Sequence, residues 1–220
     1  MACEPQGVSY GRFEVVAPTL DSLRRLFQTQ IQNLISKRYP DATGMSDGEF
    51  LSHVSPLKDK LALSKRLIGP GLYFVVVIPE SFVSIPKQIS LLSSGIEPLT
   101  KAFSPAYIRD LSGLKTPRIP YLAIDIQVES GIQPASPRQS LRRLQRAGRS
   151  GLTVVEGIAL ALHFPRVLVR SCIDLLGSRC MGDFPYLCRG INDKAELGLG
   201  DADDADAQWA AASCYARLAM

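Results

Sequence analysis

Histidine is nearly missing from this chain of 220 residues, which has two, His53 and His163. Imidazole is the usual partner of a serine or cysteine nucleophile, so its scarcity weighs against a conventional hydrolase. Cysteine is sparse as well. The five residues Cys3, Cys172, Cys180, Cys188 and Cys214 include no C-x-x-C pair of the kind that structural zinc sites use. They read as small buried apolar residues, and no metal and no cofactor is expected. Their odd number, and a start (Met1-Ala2-Cys3-Glu4-Pro5) without the basic, apolar character of an export signal, argue for reduced thiols and against a disulfide framework. Long apolar runs are lacking too. The longest, Leu72 to Pro79, is far too short to span a bilayer. There is no internal repeat. A net charge of +4 gives no global argument for nucleic acid, so only local clusters can make one. These absences lead to the expectation of a soluble, cytoplasmic protein with no membrane role.

What is present suffices for one sizeable core, since 46% of the residues are hydrophobic. Leu23, Leu26, Phe27, Ile31, Leu34 and Ile35 recur at helical spacing after a cap at Thr19 or Asp21, and Tyr39-Pro40 stops them. Asp41 to Gly44 reads as a loop. Ser46-x-x-Glu49 is a capping box, and Pro56 divides the helix that follows. Lys58, Lys60, Lys65 and Arg66 form a solvated face. Leu72 to Ile78 is apolar on both faces and reads as a strand in the middle of a sheet. A short helix is expected near Pro86, and Ser104-Pro105 opens another, with Tyr107, Ile108 and Leu111 facing inward. Tyr121 to Glu129 alternates, which predicts a strand with Asp125 and Glu129 on its solvated face.

Ser136-Pro137 then opens a narrow, arginine-rich surface helix. Thr153-x-x-Glu156 caps a helix that is apolar all round and therefore buried. Short strands are expected around Cys172 to Leu176 and Tyr186 to Cys188. An acidic surface loop is expected over Asp193 to Asp206, and Trp209 to Leu218 returns to the core.

Several of these stretches carry a resemblance. Leu152 to Leu160 (LTVVEGIAL) with His163-Phe164-Pro165, Gly177-Ser178-Arg179, Pro185-Tyr186-Leu187 and Ser213-Cys214-x-x-Arg217-Leu218 resemble domain-of-unknown-function family 5701. The resemblance covers about residues 70–218, the last part most closely. It implies a bacterial, cytoplasmic protein and brings no catalytic residue with it. Cys180 has no counterpart expected in that pattern, so it is a poor base for a cysteine mechanism.

The candidate residues fall into three groups. Ser178 with Arg179, and Ser213 with Arg217, each set a hydroxyl beside a guanidinium; brought together they would make an anion pocket. Paired instead with carboxylates such as Glu156 or Asp174, the same arginines would lock the fold. Arg138, Arg142, Arg143, Arg146 and Arg149 make a basic helix face able to neutralise phosphates. No aromatics are interleaved to stack on single-stranded bases, and the acidic stretch Asp201 to Asp206 is an alternative partner. Glu156, His163 and Cys214 are the weak candidates for catalysis: Glu156 is a capping residue, and His163 ends its helix. Cys172 to Arg179 has one residue too many for a phosphatase loop.

The reading is a single α+β domain over 19–220 after a partly ordered lead-in over 1–18. N-terminal helices pack on a small mixed β-sheet, with C-terminal helices and short strands completing it. The function expected first is a non-catalytic binding module for a small anionic ligand or a protein partner, acting through Arg179, Arg217, Ser178 and Ser213. Nucleic-acid binding by the Arg138 to Arg149 face comes second, and a hydrolase-type enzyme using Glu156, His163 or Cys214 third.

Overall fold

The computed structural model describes residues 18–64, 69, 71–92, 104–130, 135–169, 171–190, 195–205 and 209–220. Apart from Pro18, the expected lead-in lies outside them, as do Lys65 and Arg66.

Thr19 accepts the Ser22 amide and opens α1 (Leu20–Ser36), whose buried stripe is Leu23, Phe27, Gln30, Ile31 and Leu34. Where a loop was expected, Tyr39–Thr43 forms a short helix, α2. It starts from a left-handed Arg38 and ends at a left-handed Gly44, with Pro40 placed where a helix needs no amide donor. The Ser46–Glu49 capping box opens α3 (Asp47–Val54). Pro56 converts the continuation into a 3-10 turn over Ser55–Lys60, and α4 (Leu61–Ser64) follows. The later helices are α5 (Ile85–Leu92), α6 (Pro137–Arg146) and α7 (Val154–His163).

The strands are β1 (Leu72–Val77), β2 (Ile108–Asp110), β3 (Tyr121–Ser130), β4 (Ser150–Gly151), β5 (Cys172–Asp174), β6 (Ser178–Cys180), β7 (Phe184–Arg189), β8 (Ala195–Gly200), β9 (Trp209–Cys214) and β10 (Ala216–Ala219). One mixed sheet runs β1-β3-β9-β5-β7-β8, with β10 also on β3 and β4 also on β9. Within it β5 and β9 are parallel. β2 and β6 form a separate ribbon. The fold is a single α+β domain, with a larger sheet than expected.

Three expectations need correction here. The acidic 193–206 stretch holds β8, because Leu197 and Leu199 alternate with glycines that pack under the Tyr186 and Trp209 rings. Tyr107 points outward, at 60% exposure, because the turn at Pro105–Tyr107 leads directly into β2. And β1, although buried on both faces, ends the sheet instead of lying in its middle. Its open edge is closed by side chains. The Gln30 amide donates to the Phe74 carbonyl (3.0 Å) and accepts the Val76 amide (2.7 Å). His163 Nε2 meets the Val76 carbonyl at 3.0 Å. Free strand-edge groups that are buried must find such partners.

β1 and β3 lie between two helical layers. Phe74, Val76, Leu122 and Ile124 face α1 to α4, while Val75, Val77, Tyr121 and Ala123 face α5 and α7. A third, smaller cluster joins Leu144 of α6 to Leu176, Phe184 and Ala211.

Candidate functional site

The structure separates the residues that the sequence suggested as a pocket. The Thr153 hydroxyl accepts the Glu156 amide, and the Glu156 carboxylate accepts the Thr153 amide, so the capping box aims Glu156 toward β10. There Arg217 meets it with a two-point fork, Nε to Oε1 at 2.6 Å and Nη2 to Oε2 at 2.8 Å. The Tyr121 hydroxyl donates to Oε1 at 3.0 Å, and Arg217 Nη2 also donates to the Gly151 carbonyl. The Glu156 side chain is 0% exposed and that of Arg217 is 7% exposed. Burial alone would depress the guanidinium, but the carboxylate beside it outweighs that, and Arg217 is held above its usual value. Cys214 lies in the same field: burial and the Glu156 charge push its thiol up to about 12. It is a free, inert, buried thiol.

Ser213 belongs to a different lock. Arg149 Nε donates to Ser213 Oγ at 2.9 Å, and Nη1 pairs with Asp125 at 2.6 Å. Asp125 was expected on a solvated face, yet it is 3% exposed and has a φ of 52° in the middle of β3. The strand kinks there, and the partner edge passes from β9 to β10. Gly71 donates its amide to Asp125, and a Cβ on Gly71 would strike the Ile126 carbonyl. Arg149 therefore leaves the basic face, consumed by the ion pair that fixes this kink.

On α6 itself Arg142, Arg143 and Arg146 are exposed, while Arg138 pairs with Asp203 at 2.9 Å. His163 is buried, and desolvation pushes it down to about 4, so the ring is neutral; its Nδ1 has no hydrogen-bond partner among the described residues. Glu156 is fully committed to its lock, and none of Glu156, His163 and Cys214 presents a free reactive atom to solvent.

Arg179 stands apart from Arg217. It sits on β6 with its guanidinium 4.4 Å over the Phe184 ring and donates to the Gly182 carbonyl. Its cross-strand neighbour is Arg109. Next to it, Ser178 is fully buried: its hydroxyl accepts the Val154 amide (3.1 Å) and donates to Asp110 Oδ1 (3.0 Å). This places Ser178 on the wall of a cleft of about 520 Å³. The cleft lies between the Pro79–Ser81 turn, β2, the Thr116–Arg118 loop and the first turn of α7.

Arg109 and Arg118 line it. The Arg109 guanidinium donates through Nη1 to the Ala106 and Ile108 carbonyls, and neither arginine has a carboxylate partner among the described residues. Asp110 is engaged by Ser178 and by the Thr116 hydroxyl (2.6 Å), while Glu80 lies on the wall without a hydrogen bond among the described residues. Arg109, Arg118, Asp110 and Thr116 were not singled out from the sequence. They lie in a stretch without clear periodicity, and only the β2–β6 pairing brings them to the start of α7.

A second, more apolar groove of about 830 Å³ runs along Leu72, Val128, Phe164 and Val167. No group of three or more His, Cys, Asp or Glu residues among those described is placed to hold a metal ion. No helix among them is long and apolar enough to cross a membrane.

The thiols also need a correction. Cys172 and Cys188, expected reduced, form a disulfide between β5 and β7. They are 16 positions apart, and only the antiparallel register puts them opposite each other.

Comparison with known proteins gives one match. Residues 33–185 fit the model of a family described as of unknown function, DUF5701. The match starts earlier than the resemblance read from the motifs and stops before Ser213 to Leu218. It takes in the whole cleft lining, Pro79 to Ser178. No curated protein and no solved structure matches.

Proposed function

The chain belongs to this family of unknown function, and we propose that it is a non-catalytic binding module that takes a small anionic ligand in the cleft at the start of α7. The observation that carries this reading is the state of the two cleft arginines. Arg109 and Arg118 line an open cavity and have no carboxylate partner among the described residues. A guanidinium without a carboxylate partner keeps donors for phosphate or carboxylate, and Arg109 spends only Nη1, on the Ala106 and Ile108 carbonyls. The α7 N-terminus adds the positive end of its dipole at Val154 and Val155. A cavity of about 520 Å³ suits a small molecule better than a protein surface. Asp110 and Glu80 oppose a bare polyanion, so the favoured ligand carries hydroxyl groups as well as its charge. Of the residues first suggested, Ser178 stays in this reading, Arg179 flanks it, and Arg217 and Ser213 leave it. The bacterial, cytoplasmic setting implied by the resemblance is part of the same proposal.

The test is thermal unfolding with pyrophosphate, citrate or a sugar phosphate at millimolar concentration. A ligand at 100 times its Kd adds about 2.7 kcal/mol of stability. The wild type gains stability with at least one probe, and Arg109→Ala with Arg118→Ala loses that gain while keeping its ligand-free midpoint. No gain with any of the three removes the reading.

A second reading rests on Arg142, Arg143 and Arg146, exposed together on α6. If they bind nucleic acid, DNA or RNA retention falls steeply with salt and is lost in Arg142→Ala with Arg143→Ala. No retention at low salt removes it.

A further inference from the structure

One face of the sheet carries an arrangement that the cleft does not use. Ile173 and Leu187 point into the core beneath α7, so the alternate residues of β5 and β7 point to the opposite face. Across the strands these make two adjacent rows. The first is Trp209, Cys172, Cys188 and Glu196, with the disulfide at its centre. The second is Ala211, Asp174, Tyr186 and Gly198. Asp174 thus follows Cys172 on the same face, about 7 Å along the strand, and lies diagonal to Cys188.

Two features make Asp174 unusual. It is 3% exposed, and its carboxyl forms no hydrogen bond with a described residue; Oδ1 is fully enclosed and unpartnered. A buried carboxyl in that state calls for an explanation. The disulfide row, by contrast, is half-open: Trp209, Cys172 and Glu196 are all partly exposed, whereas Cys188 is buried.

We propose that Cys172 and Cys188 are a redox-active pair that exchanges with small-molecule thiols, and that Asp174 carries the proton for the buried sulfur. A thiolate from the small molecule attacks the Sγ of Cys172, the more exposed cysteine. The Cys172–Cys188 bond breaks as the mixed disulfide forms. Cys188 leaves with the electron pair and takes a proton from the Asp174 carboxyl, through one bridging water. A second small-molecule thiolate attacks the mixed disulfide at its outer sulfur, releasing Cys172 and a small-molecule disulfide. Solvent then returns the protons to Asp174 and Cys172. In reverse, a small-molecule disulfide oxidises the pair while the Asp174 carboxylate accepts the Cys188 proton.

Burial pushes Asp174 up to about 7, where a carboxyl can both give and take a proton near neutrality. Among the described residues, the other ionisable groups on this side of the sheet include Tyr186, Glu196, Glu129 opposite Ala211, and the Arg149–Asp125 pair at Ser213. α6 reaches the same side through Leu141 and Leu144, with Arg142, Arg143 and Arg146 exposed. In the cytoplasmic setting proposed above, disulfides are typically transient, and either catalytic or redox-sensing.

Trp209 makes the test direct. It is the chain's single tryptophan, lies in register beside Cys172 and packs its ring 4.5 Å from that of Tyr186, so its emission is expected to change when the disulfide opens. The full chain is reduced with dithiothreitol without denaturant while emission is followed, and alkylation with peptide mass analysis identifies the freed thiols. The expected result is an emission change whose rate is proportional to dithiothreitol concentration, with Cys172 and Cys188 alkylated together. Asp174→Asn is expected to slow it roughly tenfold near pH 7. A rate that saturates with dithiothreitol means that unfolding must come first, and it overturns the exchange site. An unchanged Asp174→Asn rate overturns the role of Asp174. Should that variant not fold, the wild-type pH profile decides. A rate that follows only the thiolate fraction of dithiothreitol overturns the proton transfer, and an added inflection near neutrality supports it.

Discussion

Arg217 closes on Glu156 through two hydrogen bonds, 2.6 and 2.8 Å long, with both side chains buried. The pair joins the last strand to the start of the buried helix α7. Residues distant in sequence are thereby held at one point, and one of the two arginines first suggested for an anionic ligand is committed to the fold.

Removing one member of such a pair strands the other charge in the interior, at a cost of about 3–5 kcal/mol. Arg217→Ala is therefore expected to lose that much in urea unfolding. Arg217→Met with Glu156→Gln should recover more than half of it. A loss below about 1 kcal/mol for Arg217→Ala would show that the pair contributes little.

Gln30 stands in for a missing strand at the β1 edge, bonded to Phe74 and Val76 and 1% exposed. Gln30→Leu keeps most of the volume but leaves a buried amide and carbonyl unpaired, each worth about 1–3 kcal/mol. The expected result is a lower unfolding midpoint and faster hydrogen exchange at the Val76 amide. Unchanged exchange there would contradict the edge-closing role.

The kink at Asp125 gives a third expectation. Gly71→Ala puts a methyl against the Ile126 carbonyl, a backbone atom that cannot swing aside. A loss of about 1–3 kcal/mol is expected, typical of overpacking. Gly44→Ala meets no atom within 4 Å and is strained only by its φ of 72°. It should lose less, and the comparison separates collision from backbone strain.

Asp174 and His163 set opposing pH dependences. Unfolded Asp174 loses its proton near 3.8, but the native carboxyl keeps it to about 7. Between those values the native state binds more protons, so stability falls as pH rises, by about 4 kcal/mol at most. His163 is moved from 6.5 down to about 4; there the native state binds fewer protons, and stability rises with pH. The two cancel over much of pH 4 to 6.5. Asp174→Asn should thus match the wild type below pH 4 and gain steadily up to pH 7, exposing the rising limb of His163. Parallel stability curves for the two proteins would refute this.

The local signals were legible in the sequence because they are satisfied within a few residues. Thr19, Ser46, Ser136 and Thr153 cap helices whose starts the capping pattern marks. The all-apolar helix after Thr153 is buried along its whole length, and the alternating stretch from Tyr121 is a strand. β8 was missed because its glycines carry no hydrophobic signal; their pattern makes sense only beneath the rings of Tyr186 and Trp209.

Sequence alone determined the class of the fold, the capped helices and the supply of arginines. It could not say what each arginine would meet, because guanidinium chemistry is the same in a lock and in a binding site. The tertiary structure decided that. The passage of the β3 edge from β9 to β10 gave Arg149 to Asp125, and strand β10 gave Arg217 to Glu156. The β2–β6 ribbon left Arg109 and Arg118 facing a cavity, and one antiparallel register set Cys172 opposite Cys188. Long-range strand pairing sets these partners, and no local pattern records it.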